Sequence, residues 1–438
     1  MATLWNKGTQ ATEAVERFTV GNDRALDLRL AECDIEGSQA HIRMLESIGL
    51  LTEEERKTLS EGLEHILVSV KAGIFQIEDD VEDVHSQVEL MLTRELGDLG
   101  KKIHAGRSRN DQVLVDLKLY LRGELRQIRK EVLALFHTLQ RLSETYKEVL
   151  LPGYTHTQLA MPSSFGLWLG AYAEALAEDM VQLGAAWKTV NRNPLGTAAG
   201  YGSSLPLDRA MTTRLLGFEA PVFNSITAQL GRGRNEMAAA SALSAIALTL
   251  NRFSADCIFY MSPNLGFIHF PDSLTTGSSI MPHKKNPDVW ETIRGRCNRI
   301  LACPGEIALL SGNLPHGYHR DFQLLKEILF PALDQLHDCL QMTDYMLQQM
   351  EVSEHIFENP LYETLFTVEE VNRRVNGGMP FREAYRQVGV EVNEGRFHYD
   401  GPAPASLRAS DLGHTHIGSI GNLCTKEIAA AMEAAAAW

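Results

Sequence analysis

The stretch DQVLVDLKLYLRGELRQIRKEVLALFHTLQ, residues 111–140, decides the fold class. Its apolar residues Leu114, Leu117, Leu121, Leu125, Ile128, Val132, Leu135 and Leu139 step by three or four, a stripe of helical period close to a heptad. Arg122, Glu124, Arg126, Arg129 and Lys130 fall largely off the stripe, where they can stay in water. Glu236–Tyr260 is rich in Ala, Leu, Ile and Ser with few charges. A helix apolar on most faces must be buried among other helices. Trp168–Trp187 gives a third long stretch, begun just after Pro162-Ser163-Ser164. Three long helices, each too apolar to stand alone, predict an all-α fold built on a central bundle. Their excess of apolar face predicts a core shared between subunits.

Glycine and proline punctuate the chain around these helices. Turn chemistry predicts loops over Gly97–Asn110, Leu151–Gln158, Asn191–Pro206, Ser262–Asp288 and Ser311–Gln323. Breaks near residues 105 and 355 predict three parts: an N-terminal helical domain (1–104), a central helix bundle with the longest loop (105–355), and a C-terminal helical domain (356–438). Beyond Pro360 the period weakens, and Gly377-Gly378-Met379-Pro380 reads as a turn opening a short helix. The chain ends in the Ala-rich segment Ala429–Ala437.

Length and composition bound the function. A chain of 438 residues can bury a large core, and 22% charged residues is ordinary for a globular protein. No apolar run is expected to span a membrane. Met1–Glu16 has neither a basic start nor an apolar core and carries Glu13 and Glu16, so cytoplasm is the expected compartment. A formal net charge of -15 opposes nonspecific nucleic-acid binding, which depends on neutralising phosphates. Local Arg and Lys can still draw an anionic small molecule into a cleft. Cys33, Cys257, Cys297, Cys303, Cys339 and Cys424 form no Cys-x-x-Cys pair and no metal-finger spacing, which predicts free thiols in a reducing compartment.

The most informative loop runs from Thr275 to Asp288 and contains Gly277-Ser278-Ser279-Ile280-Met281-Pro282-His283-Lys284-Lys285-Asn286-Pro287. Thr-Thr-Gly-Ser-Ser supplies a hydroxyl-rich backbone with free amides, and Met281-Pro282 fixes a turn. Lys284 and Asn286 can stabilise negative charge on a carboxylate-bearing substrate. A serine among cations and N–H groups can have its alkoxide stabilised and act as a base. A solvated surface turn is an equal reading on composition alone.

This loop resembles the signature of the fumarase/aspartase superfamily. The resemblance implies anti elimination across a Cα–Cβ bond, releasing fumarate through a carbanion of aci-carboxylate character. It implies Ser278 as the base, Lys284 and Asn286 as aci-carboxylate stabilisers, and Glu291 as the acid that orients a catalytic histidine. Gly153-Tyr154-Thr155-His156-Thr157-Gln158 is similar to the family's Gly-Tyr-Thr-His, which makes His156 that histidine and Thr155 a substrate contact. An imidazole near its reference pKa can pass a proton to a departing nitrogen at neutral pH.

Further motifs are similar to argininosuccinate lyases in particular. Gly106-Arg107-Ser108-Arg109-Asn110-Asp111-Gln112-Val113 sits before the long helix, where free N–H groups favour an anion. It gives Ser108, Arg109 and Asn110 as substrate contacts, although Ser108 or Asn110 could equally be a helix cap. Asp34-Ile35-Glu36-Gly37-Ser38-Gln39-Ala40-His41, Asn193-Pro194-Leu195-Gly196, Asp208-Arg209 and Asn224-Ser225 also fit. Tyr318, Asp321, Gln323 and Lys326 match a pattern these enzymes use around the arginine end of the substrate. Glu82-Asp83-Val84-His85 matches Glu-Asp-Ile-His and adds His85, with a plain helix start as the alternative. The implied reaction is reversible elimination of argininosuccinate to arginine and fumarate, in a homotetramer whose sites collect patches from three subunits, with no metal or organic cofactor.

The match departs at several points. Asp23 stands where the family usually has a substrate-binding serine. Leu230-Gly231-Arg232-Gly233 keeps the arginine of a Ser-Asp-Arg-Asp stretch, hence Arg232 as a substrate contact, and loses both acids. Leu365-Phe366-Thr367-Val368-Glu369 replaces Ala-Thr-Asp-Leu-Ala. His283 is the residue adenylosuccinate lyases carry, so that elimination is an alternative. A catalytically silent, crystallin-like relative is another, and Asp23 is the change that could support it.

Overall fold

A computed structural model describes residues 13–401 and 406–438. Residues 1–12, on which most of the expectation about a targeting segment rests, lie outside them. The chain is mostly helical. α1 (Asp23–Asp27), α2 (Ala31–Ser47), α3 (Glu53–Lys71) and α4 (Val84–Leu96) precede the long α5 (Arg109–Thr145). A hairpin of β1 (Leu150–Thr155) and β2 (Gln158–Ser164) leads into α6 (Phe165–Val190). Then come α7 (Arg234–Tyr260), α8 (Asp288–Ser311) and α9 (Leu325–Leu347). α10 (Thr367–Asn376), α11 (Phe381–Asn393) and α12 (Thr425–Ala435) follow.

The three helical stretches read from the sequence fall within α5, α6 and α7. All eight stripe residues of α5 are buried, each contributing about 1.5–3 kcal/mol of apolar transfer if fully removed from water. The segment 151–158, expected as a loop, is instead half of an antiparallel hairpin with a shifted register between Pro152 and Tyr154. Its Gly-Tyr-Thr-His-Thr run carries the turn, while Leu150, Leu151 and Pro152 pair with Ser164, Ser163 and Pro162. Pro380 caps α11, as the Gly-Gly-Met-Pro turn predicts.

The chain forms two compact units. One comprises Met1–Ile128, Gln182–Ala245 and Arg299–Leu336; the other comprises Arg129–Val181, Ile246–Asn298 and His337–Trp438. In the first, Gly37 of α2 faces α5, where a Cβ would meet Val115 in ordinary van der Waals contact at 3.4 Å. Arg29 joins Asp334 at 2.8 Å and lies over the rings of Tyr120 and Phe330. In the second unit, Asp256 accepts from Trp168 Nε1 (3.0 Å) and the Tyr172 hydroxyl (2.6 Å), and Phe253 stacks on Trp168.

By length and composition alone the helical stretch Ser225–Tyr260 could cross a membrane, where the sequence reading expected no such run. Nearly half of its most apolar window, 44%, is buried inside the molecule. Core helices are apolar for the same reason.

Candidate functional site

In the first unit a small cavity of about 130 Å³ is lined by α1, α4, the start of α5 and the segment 318–326. It gathers seven of the residues singled out from the sequence: His85, Arg109, Asn110, Arg232, Tyr318, Gln323 and Lys326. Asp23, Asp27, Asp83 and Val113 complete the lining. Ser108 lies just outside it and caps α5. Its hydroxyl accepts from the Asn110 N–H at 3.2 Å, and its own N–H donates to Asp111 at 2.8 Å.

Local structure explains how these side chains converge. Asp83 caps α4 by accepting from the Ser86 N–H at 2.8 Å, which places His85 in the first turn. The same carboxylate lies 2.6 Å from Arg109 Nε, and Glu82 lies 3.0 Å from Arg109 Nη1. Glu82-Asp83 is thus a helix start, as the alternative has it, and its two acids also hold the Arg109 guanidinium. Asp111 Oδ2 accepts from the N–H groups of Gly196 and Ala198, both at 2.9 Å. Arg209 donates to the carbonyls of Leu195 and Asn193 at 3.0 and 3.2 Å. The Asn-Pro-Leu-Gly and Asp-Arg motifs therefore brace the base of α5.

The cations of the cavity are held by acids. Arg232 pairs with Glu236 at 3.1 Å and donates to the Phe322 carbonyl at 2.8 Å. Lys326, almost fully buried, contacts Asp23 at 2.6 Å and also pairs with Asp27. Gln323 donates to the other oxygen of Asp23. His85 Nδ1 lies 2.8 Å from Asp34 and 3.2 Å from Asp116. Burial alone would lower the pKa of His85, but Asp34, Asp116 and Asp83 hold it up at about 9. The ring is therefore an imidazolium at neutral pH. Burial, with Asp34 beside it, pushes the Asp116 carboxyl well above the usual range.

Asp34, His85 and Asp116 place ligand atoms within 4.8 Å of one another. That spacing would suit a metal ion; His85 Nδ1 also lies within hydrogen-bonding distance of Asp34, at 2.8 Å.

Asp27, Asp34 and Asp116 were not among the residues singled out for the site. Asp116 is fully buried within α5, between Val115 and Leu117 in sequence. Asp34 opens the Asp-Ile-Glu-Gly-Ser-Gln-Ala-His motif, whose spacing assigns it no role. Asp27, four residues after Asp23, carried no local pattern.

The remaining candidates belong to the second unit. The loop before α8 closes through a bridge between Thr276 and Asn286, with the Asn286 N–H donating to the Thr276 carbonyl at 2.8 Å. The Asn286 side chain donates to the Gly277 carbonyl at 3.1 Å. Inside this closure the Ser278 hydroxyl oxygen accepts from the N–H groups of Ile280 (3.3 Å) and Met281 (3.1 Å). Two backbone donors aimed at one serine oxygen are what an alkoxide needs. Lys284 is exposed, and Glu291, on the first turn of α8, is exposed as well. Lys285 is engaged with Asp272.

Thr155 and His156 stand at the tip of the hairpin, exposed. His156 (φ 53) and Thr157 (φ 60) are both left-handed, the geometry of a two-residue turn that normally selects Asn-Gly. Among the described residues no hydrogen bond or ion pair joins this tip to the Ser278 loop or to Glu291.

The profile of a lyase family matches residues 8–302. The chain is 55% identical over 429 residues to the argininosuccinate lyase of Phocaeicola vulgatus, covering 98% of this chain and 94% of that one. It is 40% identical over 385 residues to the argininosuccinate lyase of Thermotoga neapolitana, covering 88% and 97%. Among solved structures, a variant of EDDS lyase with bound fumarate superposes with a TM-score of 0.75 at 22% identity, covering 98% of this chain and 90% of that one. A class II fumarase from Schistosoma mansoni gives 0.70 at 17% identity, covering 87% and 91%. These last two share the fold.

Proposed function

Because this chain belongs to the argininosuccinate lyases, within the fumarase/aspartase superfamily, we infer that it eliminates argininosuccinate reversibly to arginine and fumarate. In this reading the Ser278 alkoxide takes a proton from the carbon beside the succinyl carboxylate. Lys284 and Asn286 bear the charge that develops as that carboxylate becomes an aci-carboxylate, the contribution worth most in such reactions. The carbanion then expels the guanidinium nitrogen, which receives a proton through His156, oriented by Glu291. The arginine end lies in the cavity of Arg109, Asn110, Tyr318, Gln323 and Lys326, with Ser108 at its rim; Thr155 is a further substrate contact. No metal or organic cofactor enters these steps, since the protein's own donors stabilise each charge.

The observation that carries the chemical role is the pair of N–H groups on Ser278 Oγ. Two supporting proposals complete the reading. The enzyme acts in the cytoplasm as a homotetramer whose sites draw on three subunits, and its chain is organised in three parts with breaks near residues 105 and 355.

The test supplies argininosuccinate and adenylosuccinate separately and follows fumarate by ultraviolet absorbance. Argininosuccinate alone should react, and Ser278→Ala should lower kcat by several orders of magnitude without changing the melting temperature. Turnover of adenylosuccinate alone would transfer the substrate to the purine series, as His283 would suggest. Near-normal activity of Ser278→Ala would remove that serine from the base role.

A further inference from the structure

The charges around Lys326 do not balance. Two buried carboxylates, Asp23 and Asp27, converge on its one ammonium, and the Gln323 amide donates to Asp23 as well. The other cations of the cavity are committed elsewhere: Arg109 to Glu82 and Asp83, Arg232 to Glu236, and His85 to Asp34 and Asp116. Beside Lys326 two buried carboxylates therefore share a single ammonium. Burial raises the Asp27 carboxyl, and the charge of Asp23 raises it further against the pull of Lys326. Buried charge of this kind is stable only when paired.

We propose that Asp23 selects ligands with a free α-ammonium group, its carboxylate receiving that group while Lys326 takes the neighbouring α-carboxylate. The proposal rests on the reading above that an arginine head group occupies this cavity. A zwitterion adds no net charge to this cluster: its ammonium meets Asp23 as its carboxylate meets Lys326. An N-acylated head group brings a carboxylate and no cation. It would compete with Asp23 for Lys326 and leave the acid pair uncompensated. A serine at position 23, as the family usually has, would create neither the demand for a cation nor the penalty. Asp23 is suited to the task because it opens the five-residue α1 and both its oxygens face polar partners in the cavity.

Calorimetric titration of the full-length protein with L-arginine and with Nα-acetyl-L-arginine tests this without requiring turnover. The unaltered protein should bind arginine about tenfold to hundredfold more tightly, the scale of one hydrogen-bonded buried charge. Asp23→Asn, which keeps the shape and removes the charge, should lose most of that difference through weaker arginine binding. Equal affinity for the two ligands, or binding of neither, would overturn the proposal, even if the variant fails to fold. Tighter arginine binding by Asp23→Asn would also overturn it, making Asp23 a competitor of the ligand's carboxylate. A lack of fumarate release would sink the lyase reading while leaving this selectivity standing, and the reverse outcome is equally distinguishable.

Discussion

His85 is held between Asp34 and Asp116 with almost no exposure, and it reports its charge through stability. Its folded pKa of about 9 lies above the ordinary 6.5. The stability it contributes is therefore fully present below pH 6.5 and is lost as pH rises through about 9. Lys118, lowered by burial to about 8, acts in the opposite sense over part of that range. The comparison that isolates His85 is thus between the unaltered protein and His85→Gln, melted from pH 6 to pH 10. The stability advantage of the unaltered protein should shrink by about 1–3 kcal/mol across that range. A constant gap would show that His85 does not titrate there. Asp23 and Ser278 belong to the same scale: in each, one oxygen-bearing side chain and its two donors decide what chemistry is available.

At the scale of elements, the hairpin at residues 150–164 is the piece the sequence concealed. Its alternation is interrupted by Pro152 and Gly153, so no period-two pattern marks it, and its turn is His-Thr rather than Asn-Gly. Left-handed conformations at non-glycine residues cost about 1–3 kcal/mol each. The double change His156→Asn with Thr157→Gly should raise stability by about 1–2 kcal/mol in thermal melts while abolishing fumarate release. If stability fell, the turn would not be strained as its backbone angles imply. The long helices were legible because their apolar residues repeat at 3.6 and because burial enforces that repeat. Asp208 and Asn224, from two other motifs, cap their helices, accepting from Met211 and from Ile226 and Thr227. A capping side chain and a ligand-binding one use the same residue types, so spacing alone could not separate them.

For the whole molecule, the cavity belongs to the first compact unit, and the Ser278 loop and the hairpin belong to the second. Light scattering should give four times the chain mass of 48.7 kDa. A monomer would remove the proposal that subunits share a core and a site. The helical class, the family and the reaction type are all legible in the chain as written, because helical period and a contiguous loop motif are local and survive as text. Seven of the cavity residues were legible in the same way, each inside a short motif. The company they keep emerges on folding alone. Asp23 meets Lys326 across some three hundred residues, and Asp34 and Asp116 close on His85 from two other helices. A buried charge takes its meaning from its partners, and partners brought together by folding leave no trace in spacing.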